Sequence, residues 1–282
     1  MKNLNQKVWF VTGASKGLGL SLVKRLLNEG YNVTATSRSL SDLESAVGSH
    51  INFLPLAVDI LNEESVADAV DKTINHFGSL DVVVNNAGYG LLGALEELTD
   101  AESRQNFDVN VFGSLNVIRH ALPQLRKQQS GHIFNIASIG GFTGDFPGFG
   151  IYCATKFAVH GFTESLAAEV APFGIHATVV SPGYFRTNFL EGSSLATPKN
   201  AIEDYKSVRD SQSAHENDIN NNQPGDPDKA AAVLIEVASM PQPPVQLFLG
   251  PDAYHLAEVK MQSVQKELEA LRHIAAATNF DN

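Results

Sequence analysis

Short apolar runs alternate along this chain with longer stretches in which apolar residues recur every three or four positions. The runs fall near 7–12, 31–36, 51–58, 80–85, 131–137, 175–181 and 245–249. The periodic stretches fall near 18–29, 62–77, 100–128, 151–171, 227–239 and 253–275. Continuous runs of this length suit buried strands, and the longer period suits amphipathic helices. Strand followed by helix, repeated along the chain, predicts an α/β fold with a parallel, doubly wound sheet of seven strands in a single domain spanning 1–282. Residues 192–225 break the pattern. They are rich in Ser, Asn, Asp, Glu and Pro, and read either as a disordered surface loop or as a lid over a substrate. A helical tail is expected over 250–282.

The first run leads directly into Thr12-Gly-Ala-Ser-Lys-Gly-Leu-Gly19. A strand, a glycine-rich turn and a helix N-terminus in succession suit a dinucleotide pyrophosphate. Free N–H groups and the positive end of the helix dipole then face the anion. Gly13 permits the turn, Gly17 lets backbone approach phosphate, and Gly19 lets the helix pack closely. The second strand ends at Ser37-Arg38, where an NAD-selective site places a carboxylate for the ribose 2′-hydroxyl. A hydroxyl and a guanidinium suit a 2′-phosphate instead, with Lys16 as a second cation at the same corner, so NADP(H) is favoured over NAD(H). Asp59, after the third strand, reads equally as an acceptor for the adenine amino group or as a helix cap. Asn85-Asn86-Ala87-Gly88 closes the fourth strand with small residues where open α/β sheets bind ligands.

Tyr152-Cys-Ala-Thr-Lys156 lies on a helical pattern, and positions four apart share one face. An ammonium beside a phenol favours the phenolate and makes the pair a plausible acid/base near neutral pH. Ser138 ends the fifth strand just before this helix, placing a hydroxyl for a carbonyl oxygen. Asn110 lies mid-helix, either as a packed amide or as the holder of a water relaying protons to Lys156.

Together these motifs resemble a classical short-chain dehydrogenase/reductase of the NADP-preferring type, in order and spacing from about residue 5 to 190. The resemblance implies a Rossmann domain and the tetrad Asn110, Ser138, Tyr152 and Lys156, with Tyr152 as acid or base and Lys156 binding the nicotinamide ribose. It implies cofactor contacts from Gly13, Ser15, Lys16, Gly17, Leu18, Gly19, Ser37, Arg38, Asn86, Ala87 and Gly88, to which the residue reading adds Asp59 as a candidate. Pro182, Gly183 and Thr187 follow at the nicotinamide end. The implied reaction moves a hydride between the cofactor and a carbonyl or alcohol. A homodimer or homotetramer through 100–128 and 151–171 is also implied.

Phe142, Phe146 and Phe185, near these motifs, are expected to line an apolar substrate pocket. A net charge of −11 argues against nucleic acid and anionic lipid as partners. No apolar run is long enough to span a membrane. The one cysteine, Cys153, excludes an intrachain disulfide and fits a reducing, cytoplasmic setting. It reads as a small packed helix residue. The nine histidines show no zinc-ligand spacing, so no metal is expected. The alternative function is a non-catalytic NADP-binding regulator on the same fold; loss of Tyr152 or Lys156 would mark it, and both are present.

Overall fold

A computed structural model describes residues 7–280. Its order of elements is β1 (Val8–Val11), α1 (Gly17–Asn28), β2 (Asn32–Ser37), α2 (Leu40–Val47), β3 (Phe53–Ala57), α3 (Glu63–Phe77), β4 (Val82–Asn85), β5 (Gly90–Leu91), α4 (Asp100–Phe107), α5 (Gly113–Gln128), β6 (Gly131–Ile136), α6 (Gly150–Val170), β7 (Ile175–Pro182), β8 (Leu195–Ala196), α7 (Lys206–Ser213), α8 (Pro227–Val237), β9 (Gln246–Leu249) and α9 (Pro251–Ala275).

The seven expected strands form one parallel sheet in the order β3-β2-β1-β4-β6-β7-β9. All-parallel strands are covered on both faces, which is why they read as continuous apolar runs. One face is packed by α1, α2 and α8 through Leu22, Val23, Leu26, Leu43, Ala231 and Leu234. The other is packed by α3, α5 and α6 through Val66, Val70, Ile118, Leu125, Leu166 and Val170. Pro55 lies in β3, an edge strand, where its missing N–H leaves no gap in the interior of the sheet. The strand order reverses between β1 and β4, so a crevice opens at the carboxyl ends of those strands.

Local signals set the helix starts. The Asn62 side chain accepts from Ser65 N at the start of α3, and Thr99 and Glu102 form a reciprocal capping box on α4.

Three elements differ from the sequence expectation. The stretch 100–128 is not one regular helix: Asp108–Phe112 forms a π turn between α4 and α5, with Asn110 at its centre. The helix α2 was not foreseen, because Leu43 is its one buried residue and leaves no apolar period to read. Residues 192–225 are built from regular pieces. Strand β8 pairs with β5, α7 follows, and a second π turn spans Ala214–Ile219. This segment is anchored by Glu97, whose carboxylate accepts from Ile202 N at 2.7 Å and forms an ion pair with Arg209 at 2.8 Å.

Candidate active site

A cavity of about 1050 Å³ runs along the carboxyl ends of the sheet. Its walls come from the turns after β1, β2, β3, β4, β6 and β7, from α6, and from the 192–225 segment.

The glycine turn forms one end. Gly13 has φ +64°, and a Cβ there would fall 2.7 Å from Ala87 Cα, so both conformation and space require glycine. Asn86 stitches the turn from the opposite side, its amide donating to the carbonyls of Thr12 and Gly13 at 3.0 Å each. The Thr12 hydroxyl accepts from the amides of Asn86 and Ala87, also at 3.0 Å. Gly13, Ser15, Lys16, Gly17 and Leu18 all line the cavity. Gly19 does not; it packs behind the turn, where a Cβ would meet Asn86 Nδ2 at 2.5 Å. The absence of a side chain there serves this close packing.

Ser37 and Arg38 line the neighbouring corner with Asp59, and the Ser37 hydroxyl donates to Ser15 Oγ at 3.3 Å. Asp59 also accepts from Leu61 N at 3.0 Å, closing its own turn; the cap of α3 is Asn62. Asn86, Ala87 and Gly88 lie along the middle, with Pro182, Gly183 and Thr187 opposite.

Ser138, Tyr152 and Lys156 meet on one wall. Tyr152 and Lys156 are one turn apart on the sheet-facing side of α6, both buried. The Lys156 ammonium lies 5.7 Å from the Tyr152 ring centroid and donates to the Ile136 carbonyl at 2.9 Å. Ser138 starts the short 3₁₀ turn Ile139–Gly141 and accepts from Gly140 N at 3.0 Å, lining the same wall as the Tyr152 phenol. Burial pushes the phenol above its ordinary value, with the Ser138 hydroxyl opposing. Burial pushes Lys156 down to about 8. The expected lowering of the tyrosine by the lysine does not figure among the causes of its shift; desolvation dominates, and Ser138 is the group that opposes it. Cys153 is buried and its thiol is pushed up to about 11 by that burial, as befits a packing residue.

Asn110 stands behind the wall and does not line the cavity. Its Nδ2 donates to Tyr89 O and Thr155 Oγ1, and its Oδ1 accepts from Tyr89 N, all at 3.0 Å. Thr155 in turn donates to the Tyr152 carbonyl at 2.7 Å. Asn110 thus ties the loop after β4 to the helix that carries Tyr152.

Of the three expected pocket phenylalanines, Phe146 and Phe185 line the cavity. Phe142 does not. The 3₁₀ turn directs it toward α9, where its ring meets Phe248 at 5.2 Å and packs with Ala253 and Ala257. Its place is filled by Phe149, Phe189, Leu190 and Tyr184. His215 and Gln223 complete the wall. Both escaped the sequence reading, because polar residues in a polar segment carry no periodic signal. Among the described residues no cluster of metal-ligating side chains occurs, and no helix is long and apolar enough to cross a membrane.

The sequence and the fold have relatives among known proteins. Residues 7–197 match the family model for short chain dehydrogenase. The oxidoreductase BOA17 of Botryotinia fuckeliana is 36% identical over 275 residues, covering 96% of this chain and 99% of the relative. The 3-ketodihydrosphingosine reductase of Bacteroides thetaiotaomicron is 36% identical over 253 residues, covering 88% and 89%. The crystal structure of a short-chain dehydrogenase from Streptomyces avermitilis superposes with TM-score 0.89 at 34% identity, covering 98% of this chain and 99% of that one. The structure of ElxO with NADP bound has TM-score 0.71 at 29% identity, covering 86% and 96%. A 3-ketoacyl-(acyl-carrier-protein) reductase from Brucella melitensis complexed with NADH has TM-score 0.73 at 27%, covering 88% and 98%. A seven-stranded parallel sheet, a glycine turn at its carboxyl edge and matches along almost the whole chain lead to one conclusion: the protein belongs to the short-chain dehydrogenase/reductase family of oxidoreductases, whose fold binds nicotinamide cofactors.

Proposed function

We propose that the protein is an NADP(H)-dependent oxidoreductase acting on a carbonyl or alcohol of a small, largely apolar substrate. The observation that carries this reading is the convergence of Ser138, Tyr152 and Lys156 on one wall of a cavity whose other end is the glycine turn. The residues fit a dinucleotide: Gly13 and Gly17 both have positive φ, no side chain fits at Gly13, and the N-terminus of α1 carries no side-chain cap. When bound, the nicotinamide supplies or accepts the hydride.

The chain's own residues do the rest. The Ser138 hydroxyl orients the substrate oxygen beside Tyr152. The Tyr152 hydroxyl delivers a proton to that oxygen in reduction and removes it in oxidation. Lys156, as the ammonium, holds ribose hydroxyls and stabilises the phenolate left after proton delivery. Proton resupply passes through Asn110. A Cβ on Gly88 would crowd Asn110 Oδ1 at 2.9 Å and lie 3.6 Å from Lys156 Nζ, so glycine there lets the loop after β4 pack directly against Asn110 beside the lysine. Pro182, Gly183 and Thr187 hold the nicotinamide end, Asn86, Ala87 and Gly88 the ribose, and Asp59 the adenine.

The preference for the phosphorylated cofactor is supported by Ser37, Arg38 and Lys16 at one corner, with no carboxylate ending β2. Homo-oligomerisation is supported by the exposure of Phe112 and Phe157 beside α5 and on α6. A cytoplasmic setting completes the reading. Its test is to follow reduced-nicotinamide absorbance with NADPH or NADH against apolar ketones, aldehydes and quinones, in wild type and Tyr152→Phe. The expected result is NADPH oxidation abolished by the substitution. Undiminished turnover in Tyr152→Phe would refute the mechanism. NADPH binding without turnover of any compound would favour a regulator.

A further inference from the structure

The substrate end of the cavity is mostly aromatic and aliphatic, but one wall carries a hydrogen-bonded chain that the chemistry above does not use. Tyr184 follows Gly183, and its hydroxyl lies 3.0 Å from Nε2 of His215. His215 sits in the π turn after α7, is 7% exposed, and packs its ring 4.9 Å from that of Phe149. Its Nδ1 lies 2.7 Å from the Ser211 carbonyl oxygen. Tyr184 and His215 both line the cavity.

The last member of this chain dictates its direction. A carbonyl oxygen only accepts, so Nδ1 of His215 donates. A neutral imidazole with its proton on Nδ1 can only accept at Nε2. The Tyr184 O–H therefore points at His215, and the Tyr184 oxygen turns only lone pairs toward the cavity. A phenol free of such a partner can donate or accept; here its polarity is fixed. Its backbone is fixed too. Tyr184 N donates to Asp252 Oδ2 at 2.6 Å, and Tyr184 O accepts from Gly225 N at 3.0 Å. The pair stands near the reacting groups: the Phe149 ring that packs 4.9 Å from His215 also packs 6.0 Å from the Tyr152 ring, and Tyr184 and Tyr152 line the same cavity.

Resting on the reductase reading, we propose that Tyr184 is a specificity-determining residue that accepts a hydrogen bond from a donor on the substrate next to the reacting carbonyl. The substrate class is then an apolar-chain carbonyl compound with a neighbouring hydroxyl or amino group. The chain lies over Phe149, Phe189 and Leu190, the carbonyl meets Ser138 and Tyr152, and the donor meets Tyr184.

The test compares kcat/KM with NADPH for a long-chain hydroxymethyl ketone and for its methoxymethyl counterpart, which accepts but cannot donate. Wild type is expected to favour the hydroxymethyl ketone by about tenfold, the worth of one hydrogen bond. Tyr184→Phe should bring the ratio near one. His215→Leu frees the Tyr184 hydroxyl to donate, and should shift the ratio toward the methoxymethyl ketone. Equal rates for the two ketones in wild type, or a ratio unmoved by Tyr184→Phe, overturns the proposal and leaves the reductase reading standing. If no ketone is turned over, the reductase reading falls, and calorimetric binding of the matching diol and methoxy alcohol in the presence of NADP gives the Tyr184 preference directly. Equal affinities there overturn the proposal as well.

Discussion

Two glycines in helices offer a paired test of how the cofactor end is built. Gly19 lies in the first turn of α1 and Gly161 inside α6. Helix propensity alone predicts that alanine at either position stabilises the protein by about 0.5–1 kcal/mol. A Cβ at Gly161 meets nothing within 4 Å, so Gly161→Ala should realise that gain and raise Tm by about 1–2 °C. At Gly19 the same atom falls 2.5 Å from Asn86 Nδ2 and 2.9 Å from Gly13 O. The Asn86 amide must move, and its bonds to Thr12 O and Gly13 O go with it. Two hydrogen bonds at about 0.5–1.5 kcal/mol each outweigh the propensity gain. Gly19→Ala should therefore melt no higher than wild type, and its disturbed turn should weaken NADPH binding by tenfold or more. Thermal melts and NADPH titration by nicotinamide fluorescence measure both. A Gly19→Ala protein that gains stability like Gly161→Ala, with unchanged NADPH affinity, would refute the reasoning.

Other expectations follow from the site's charges. Arg38→Ala should reduce the preference for NADPH over NADH by about tenfold or more, since a charge-assisted bond to phosphate contributes about 1.5–3 kcal/mol; comparing kcat/KM for the two cofactors measures it. Lys156 is pushed down to about 8 by burial, so its ammonium is present below that pH and lost above it. The kcat/KM for NADPH, which reports the free enzyme, should fall as pH rises through about 8; a rise over that range would contradict the role given to Lys156. His132, stacked 3.9 Å from Phe134, is pushed down to about 3 by burial, with His176 and Lys7 adding to the effect. Its folded value lies below the unfolded one, so the unfolded chain takes the proton first and stability is lost as pH falls below about 6.5. The loss from this residue should reach about 2 kcal/mol at pH 5. Urea midpoints of His132→Gln should accordingly depend less on pH between 7 and 5 than those of wild type.

The sheet was legible because its central strands β1, β4 and β7 are buried on both faces and read as apolar runs, while the half-buried edge strands β3 and β9 still carry short apolar stretches. The glycine turn and the Ser138, Tyr152 and Lys156 wall were legible because their chemistry needs particular residues at fixed spacing. Asn110 was visible as a polar residue within a helix, but its π turn was not, since one extra residue hardly disturbs the apolar period of 100–128. Phe142 was misplaced for a different reason: sequence places it after Gly140-Gly141, but the direction in which that turn releases it depends on α9, more than a hundred residues on. The wall formed by His215 and Gln223 was illegible because α7 buries one apolar residue, Val208, and is held by an ion pair instead of a hydrophobic stripe.

That ion pair governs how freely the substrate wall can move. The Glu97 side chain has no exposed surface, and its carboxylate takes bonds from Ala94 N, Ile202 N and Arg209. Burial alone would raise its pKa, but these partners reverse that and hold it below the usual carboxylate range. Any motion that lifts residues 202–215 away breaks the Ile202 and Arg209 bonds to this carboxylate, at about 1.5–3 kcal/mol each. An open form is then populated below about one per cent. The substrate wall is accordingly clamped by charge to the loop after β5, with Val208 as the buried apolar residue of α7 beneath it.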